Sequence, residues 1–156
     1  MAIDFNWLEE HVFHRTLTED EKYNLRTFIT IESFKNESSM VIENEPAGAL
    51  YLLRHGEVDV VLQFNGETVH IANAGEGSQL GDMAFLDDAT ATATLIAKKD
   101  CVTYKITRKA IANLFAGHQA VARDLLFNTL ANMSNILREL NVSNAAATQY
   151  IRGRRV

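Results

Sequence analysis

Residues 75–94, GEGSQLGDMAFLDDATATAT, carry the residue types in this chain best suited to binding chemistry. Gly75, Gly77 and Gly81 fall within seven residues and lead into a short apolar turn. A glycine-rich loop entering a helix presents bare backbone N–H groups, which is how a chain cradles an anion. The same window holds no Lys or Arg, yet it holds Glu76, Asp82, Asp87 and Asp88. An anion seated there would be held by backbone dipoles alone, beside like charge.

Other reactive groups are sparse. His11 and His14 lie one helical turn apart, a spacing that suits a metal, but no third ligand lies nearby in sequence. The expectation is a plain helix face and no metal site. His55, His70 and His118 qualify as axial haem ligands by residue type only, and each reads as a surface histidine. His55 and His70 are too few and too far apart for a jelly-roll metal enzyme, which clusters histidines with a carboxylate. No Gly-x-Ser-x-Gly, His-Glu-x-x-His or Gly-Lys-Ser/Thr motif occurs. The chain is therefore expected not to be an enzyme. Cys101 is the sole cysteine. It excludes an intramolecular disulfide and a multi-cysteine cluster, and fits a reducing compartment.

The elements that must position the glycine-rich stretch follow from the rest of the chain. Its 156 residues suffice for one domain with a real core. A net charge of −5 argues against a generally basic, nucleic-acid-binding surface. The opening MAIDFNWLEE lacks the basic start and apolar run of a signal peptide. No apolar run approaches the roughly 18 residues that span a bilayer. These features predict a cytoplasmic protein without membrane association.

Three zones are expected. Residues 1–33 read as helices, with Leu8, Val12, Leu17, Tyr23, Leu25 and Phe28 as apolar anchors. Thr18 and Glu21 form a capping-box pair. Residues 34–106 read as strands. Val58, Val60, Leu62 and Phe64 alternate at period two, and Asn65-Gly66 marks a two-residue hairpin before Val69 and Ile71. SMVIE, GALYLLRHG, ATATATLIA and CVTYKIT supply further strands, punctuated by Gly48, Gly56, Gly66 and Gly75. Residues 107–145 read as helices, with Thr107 a cap, Gly117 a stop and a long helix over about 119–141. Residues 146–156, with Arg152, Arg154 and Arg155, read as a solvated tail. In the long helix Leu126, Leu130, Met133, Leu137 and Leu140 are spaced as a heptad seam. That seam either packs on the chain's own strands or pairs two copies.

This order of elements resembles the cyclic-nucleotide-binding domain family, which includes the bacterial catabolite activator and the regulatory subunits of the cAMP-dependent kinase. ALYLLRHGEVDV is similar to the family's strand, glycine turn and strand. GEGSQLGDMAFL is similar to its phosphate-binding segment, with Gly75, Gly77, Gly81, Ala84 and Leu86 on pattern and without a gap. TATATLIAKKDCVTYKITRKAIANLF resembles the strand pair and helix that follow. The resemblance implies a double-stranded β-helix, or jelly roll, mainly β with N-terminal helices and a long C-terminal helix.

It also implies a site. Gly81 falls on the loop glycine and Asp82 on the glutamate that accepts from the ribose. Met83 and Ala84 fall on the helix-start donors. The arginine that pairs with the phosphate falls on Ala91, and the residue after it on Thr92. The nearest cations in sequence are Arg54, Lys98, Lys99 and Arg108, so no shift of alignment restores the arginine. Losing that charge-assisted pair removes about 1.5–3 kcal/mol, roughly ten- to a hundred-fold in affinity.

The expectation is a regulatory or sensor module with an altered site at Gly81, Asp82, Met83, Ala84, Ala91 and Thr92. It would have no resident cofactor and no tightly held cyclic nucleotide. Its partners would be another small ligand or a protein. Two copies would pair through Leu126, Leu130, Met133, Leu137 and Leu140. The competing expectations are a genuine cAMP or cGMP binder that borrows Arg54 or Arg123, and a scaffold with an empty pocket. The family's transcription activators continue into a helix-turn-helix domain, for which 156 residues leave no room, so direct DNA binding is not expected.

Overall fold

A computed structural model describes residues 2–153 of the chain. Asp4 opens helix α1 (Phe5–Leu8) by accepting the Trp7 N–H, and a π-helical turn, Glu9–Phe13, continues it. Helix α2 (Glu19–Phe28) begins at Thr18, where the capping box is complete. Thr18 Oγ1 accepts the Glu21 N–H, and the Glu21 carboxylate accepts the Thr18 N–H. The expected anchors Leu8, Val12, Leu17 and Leu25 are buried, but Tyr23 is 69% exposed.

The first strand starts earlier than the sequence reading places it. β1 spans Ile29–Phe34 and follows α2 with no loop between them. Reading helix up to residue 33 missed that Ile29 and Ile31 already alternate with the polar Thr30 and Glu32. The other strands are β2 (Ser39–Val41), β3 (Ala49–His55), β4 (Val58–Phe64), β5 (Glu67–Ala74), β6 (Gln79–Leu80), β7 (Thr94–Ala97) and β8 (Cys101–Thr107). Two antiparallel four-stranded sheets result, ordered β1-β8-β3-β6 and β2-β7-β4-β5. The β4–β5 hairpin closes through Asn65 and Gly66, both at positive φ, with Phe64 opposite Glu67. The loop length and the positive φ at both residues are those of a type I′ turn. The alanine–threonine run forms strand only over Thr94–Ala97. Residues 89–93 instead cross to the β2–β3 loop, where Thr90 bridges to Pro46.

β3 explains how the layers stack. Ala49, Tyr51 and Leu53 point between the sheets, joining Met40, Val58, Ala74, Leu80, Leu95, Ala97 and Cys101. Leu50 and Leu52 point the other way, onto Trp7, Leu8, Leu25, Phe85, Leu114, Val121 and Leu125. A strand buried on both faces needs the unbroken apolar run ALYLL rather than an alternation. Truncating Leu50 or Leu52 to Ala would cost about 2–5 kcal/mol.

Three helices complete the chain. α3 (Asp82–Asp87) follows β6, and α4 (Arg108–Gly117) is capped by the Thr107 side chain on Ala110 N–H. α5 spans Gln119–Gly153, a dozen residues past the expected end at 141, so residues 146–153 continue the helix. Arg154 and Arg155 of the expected tail lie outside the described residues. No helix among the described residues is long and apolar enough to cross a membrane.

Candidate functional site

The site is built where β6 ends. Gly81 adopts φ +77 and turns the chain into α3. A side chain there would strike the backbone, since its Cβ would lie 2.7 Å from the Ala49 carbonyl oxygen. Only glycine combines this left-handed backbone with so close an approach to β3. α3 then places Ala84 and Phe85 in the core and leaves Met83 half exposed.

Of the six residues expected at the site, Thr92 and Met83 are in contact, and Gly81, Asp82, Met83 and Ala84 follow one another along the turn into α3. Ala91 is buried, and its backbone is held from both sides. Its N–H donates to the Glu45 carbonyl at 2.9 Å, and its carbonyl accepts the Asn44 N–H at 2.8 Å. Thr92 reaches back across the gap and donates its hydroxyl to the Met83 sulfur at 3.8 Å. The start of α3 and the Ala91–Thr92 segment therefore touch through Met83 and Thr92, while Ala84 faces the core. A hollow of about 360 Å³ opens at the β2–β3 loop, whose Glu45 carbonyl accepts the Ala91 N–H. It is lined by Met40, Ile42, Glu45, Ala49, Tyr51 and Lys105 among others, and by no residue of 81–92.

Asp82 is used differently from the role its position implies. One oxygen, Oδ1, accepts the Met83 N–H at 3.0 Å. That N–H is a donor a phosphate would need. The other oxygen, Oδ2, is shielded from solvent and has no hydrogen-bond partner. The Asn132 side chain of α5 lies beside the carboxylate. Burial pushes the Asp82 carboxyl above its ordinary value, against the opposing pull of the Met83 N–H, its own N–H and Asn132.

The cations are committed elsewhere. Arg54 pairs with Asp4 at 2.9 Å and Glu76 at 2.7 Å, with its guanidinium over the Trp7 ring. Arg123 pairs with its neighbour Asp124 at 2.9 Å. Lys98 pairs with Asp59 and Lys99 with Glu57. Arg108 does reach α3, but at the wrong end for an anion at Gly81. It donates to the Phe85 and Leu86 carbonyls, both at 3.2 Å, and lies 3.8 Å from Asp88. A cation at a helix C-terminus satisfies unpaired carbonyls and the negative end of the dipole.

Sequence reasoning missed Arg108, Asn128 and Asn132. The signal for Arg108 was its place directly after a helix cap. The two asparagines were legible as polar residues one turn apart inside a leucine-rich helix. The histidines take structural positions: His11 donates from Nδ1 to the Trp7 carbonyl at 3.0 Å and stacks on the Trp7 ring. His14 closes the π-turn in a left-handed conformation.

Comparison with known proteins places this architecture. Residues 31–118, more than half of the chain, match the cyclic nucleotide-binding domain family. The cAMP-dependent protein kinase regulatory subunit of Colletotrichum orbiculare is 25% identical over 118 residues, covering 76% of this chain and 30% of that one. The cGMP-dependent protein kinase of Plasmodium berghei is 26% identical over 139 residues, covering 87% of this chain and 16% of that one. The chain thus spans less than a third of the length of either. Among solved structures, a cyclic nucleotide-binding domain from Methylobacillus flagellatus superposes with a TM-score of 0.80 at 23% identity. The match covers 86% of this chain and 79% of that one. The glycine turn, the short helix after it and the paired sheets around them therefore have one common origin: the chain belongs to the cyclic nucleotide-binding domain family.

Proposed function

We propose that this chain is a non-catalytic regulatory or sensor module whose cassette does not hold a cyclic nucleotide through an arginine–phosphate pair. It answers to a different small ligand or to a partner protein, and passes the response through α5, along which two copies pair. The observation that carries this reading is the cassette itself. Ala91, which the resemblance aligns with the arginine, is buried and uncharged, and Asp82 already occupies the Met83 N–H. Arg54 and Arg123, the cations a cyclic nucleotide could borrow, are already paired, Arg54 with Asp4 and Glu76 and Arg123 with Asp124. Dimerisation is supported by the exposure of Leu130, Leu137 and Leu140, each about half exposed on a helix whose first turns are buried.

Titration with fluorescent cAMP and cGMP analogues, read by anisotropy, tests the proposal. The expected result is no saturable binding below high-micromolar protein. Saturable binding in the nanomolar to low-micromolar range would overturn it.

A further inference from the structure

We propose that the hollow at the β2–β3 loop is a second ligand site, separate from the cassette, that takes a small carboxylate with an apolar body and holds it on Lys105. The site does not depend on what the cassette binds.

Strand register puts Lys105 there. Residues directly opposite each other in an antiparallel pair share one face of the sheet. Ala49 lies opposite Thr107 and Tyr51 opposite Lys105, and Ala49 and Tyr51 point between the sheets. Lys105 and Thr107 therefore face inward as well, continuing the buried row of Cys101 and Thr103. On β1, Thr30 lies opposite Lys105 and Glu32 opposite Thr103. The inward face of this sheet thus turns from apolar to polar toward Thr107. Alternation asks for an apolar side chain at Lys105, and turning an ammonium inward is costly. A ligand that uses the charge is a reason to bear that cost.

The opposite wall is β2 and the loop after it. Ser39, Met40 and Ile42 line the hollow, and the loop folds over its rim. That loop is a fixed turn: Asn44 sits at φ +65, and the Glu45 N–H donates to the Ile42 carbonyl at 3.1 Å. At about 360 Å³ the hollow has the size of a small-molecule pocket. Met40, Ala49 and the Tyr51 ring give it an apolar floor. Ile42 stays 46% exposed at its edge.

Charge decides the ligand class. The Lys105 side chain is 27% exposed, and an ammonium carries three donors. One goes to Glu32 Oε1 at 2.8 Å, and the Tyr51 side chain engages a second. The third is left for a ligand, and the Ser39 and Thr107 hydroxyls add donors of their own. Glu45 is the only other ionised lining residue, exposed on the rim. One ammonium beside two carboxylates suits a singly charged anion and disfavours a phosphate dianion.

The same loop holds part of the cassette. The Glu45 carbonyl accepts the Ala91 N–H, the Asn44 N–H donates to the Ala91 carbonyl, and Pro46 bridges to Thr90. A ligand that orders the loop is therefore felt at residues 90 and 91.

Proton–nitrogen correlation spectra of the full chain, titrated with sodium benzoate at fixed ionic strength and pH 7, test the site. Saturable shifts should centre on residues 39–49 and 105–107 and extend to 90 and 91. Half-saturation should fall near about 1 mM, the range that ligand efficiency sets for so small a fragment. Lys105→Met should weaken benzoate by about tenfold or more, the value of a charge-assisted pair. Ile42→Asp changes an exposed position, leaves the Lys105–Glu32 pair intact and sets like charge on the rim, and it should also weaken benzoate. Inorganic phosphate should give no saturable shift at these residues. Benzoate shifts that are absent, centred elsewhere or unchanged in a folded variant would overturn the site, as would phosphate shifts equal to those of benzoate. No cyclic nucleotide enters any arm, so this site can fail while the proposed function stands, and the reverse.

Discussion

The Thr92 hydroxyl donates to the Met83 sulfur at 3.8 Å, joining the segment of Ala91 to the first turn of α3. This link is weak and joins groups that carry no charge. Restoring the charge is the direct experiment. Ala91→Arg should raise affinity for a fluorescent cyclic nucleotide ten- to a hundred-fold over the wild type, the value of about 1.5–3 kcal/mol for a charge-assisted pair. A thermal melt without ligand checks that the variant folds. An unchanged titration by a folded variant would place the obstacle in the shape of the cassette rather than in the missing cation.

The leucine seam makes a separate prediction. Leu126 is half-buried against the chain's own core, whereas Leu130, Leu137 and Leu140 stand in solvent in the single chain. Two heptads are too short to hold a coiled coil unaided. Pairing should therefore be weak and concentration-dependent. Sedimentation velocity is expected to show a dimer at tens of micromolar that Leu130→Glu combined with Leu137→Glu converts to monomer. Both positions are exposed, so the melting temperature of the dilute protein should barely move. A wild type that sediments as a monomer at every concentration would remove α5 as a dimer interface.

Local chemistry made much of the fold legible. Thr18 with Glu21, Asn65-Gly66 and Thr107 each specify a cap or a turn within four residues, and each forms as read. The order of strands and the on-pattern glycines located the cassette. The misreadings lie where a distant partner decides. Ile29–Phe34 becomes a strand because β8 pairs along all six of its residues. Residues 89–93 leave the strand they resemble because the loop around Asn44, Glu45 and Pro46 takes their backbone bonds. The interaction of Asp82 with Asn132 was not legible, because fifty residues of sequence carry no signal of that contact.

Acid stability should depend on Arg15. Its Nε donates to Asp124 on α5, and its terminal nitrogens bind both oxygens of Glu21 on α2, with the shortest distance to each carboxylate 2.7 Å. The Arg15 hydrogen bonds hold the Glu21 carboxyl down to about 2, outweighing its burial. Burial raises the Asp124 carboxyl, but Arg15 and Arg123 together bring it below its ordinary value. Both carboxyls are depressed in the folded state, so their contribution is complete above the ordinary carboxylate range and is lost as pH falls toward 2. Glu21 alone corresponds to at most about 3 kcal/mol, less after screening of the partly exposed Arg15. Urea unfolding should show stability falling between pH 5 and 2. Arg15→Met should lower stability at pH 7 by about 1–3 kcal/mol and flatten that acid limb. An acid limb as steep in R15M as in the wild type would mean that other carboxylates carry it.

Two glycines near the cassette should respond oppositely to alanine. Gly81 sits at φ +77 with the Ala49 carbonyl oxygen 2.7 Å from where a Cβ would be, and that oxygen belongs to the backbone of a central strand. The left-handed conformation costs a non-glycine residue about 1–2 kcal/mol before any clash. Relieving the clash must push α3 away from β3, so Gly81→Ala should destabilise by about 2–4 kcal/mol in urea unfolding. Gly48, at the start of β3, has no positive φ and nothing within 4 Å of a built Cβ. Gly48→Ala should therefore be neutral or stabilising by up to about 1 kcal/mol, because it restricts only the unfolded chain. Equal losses at the two positions would mean that chain flexibility, not the fit of Gly81 against β3, is what the cassette requires. A loss confined to Gly81 ties the cassette to β3, and through Leu50 and Leu52 on that strand's other face to the core that anchors α5.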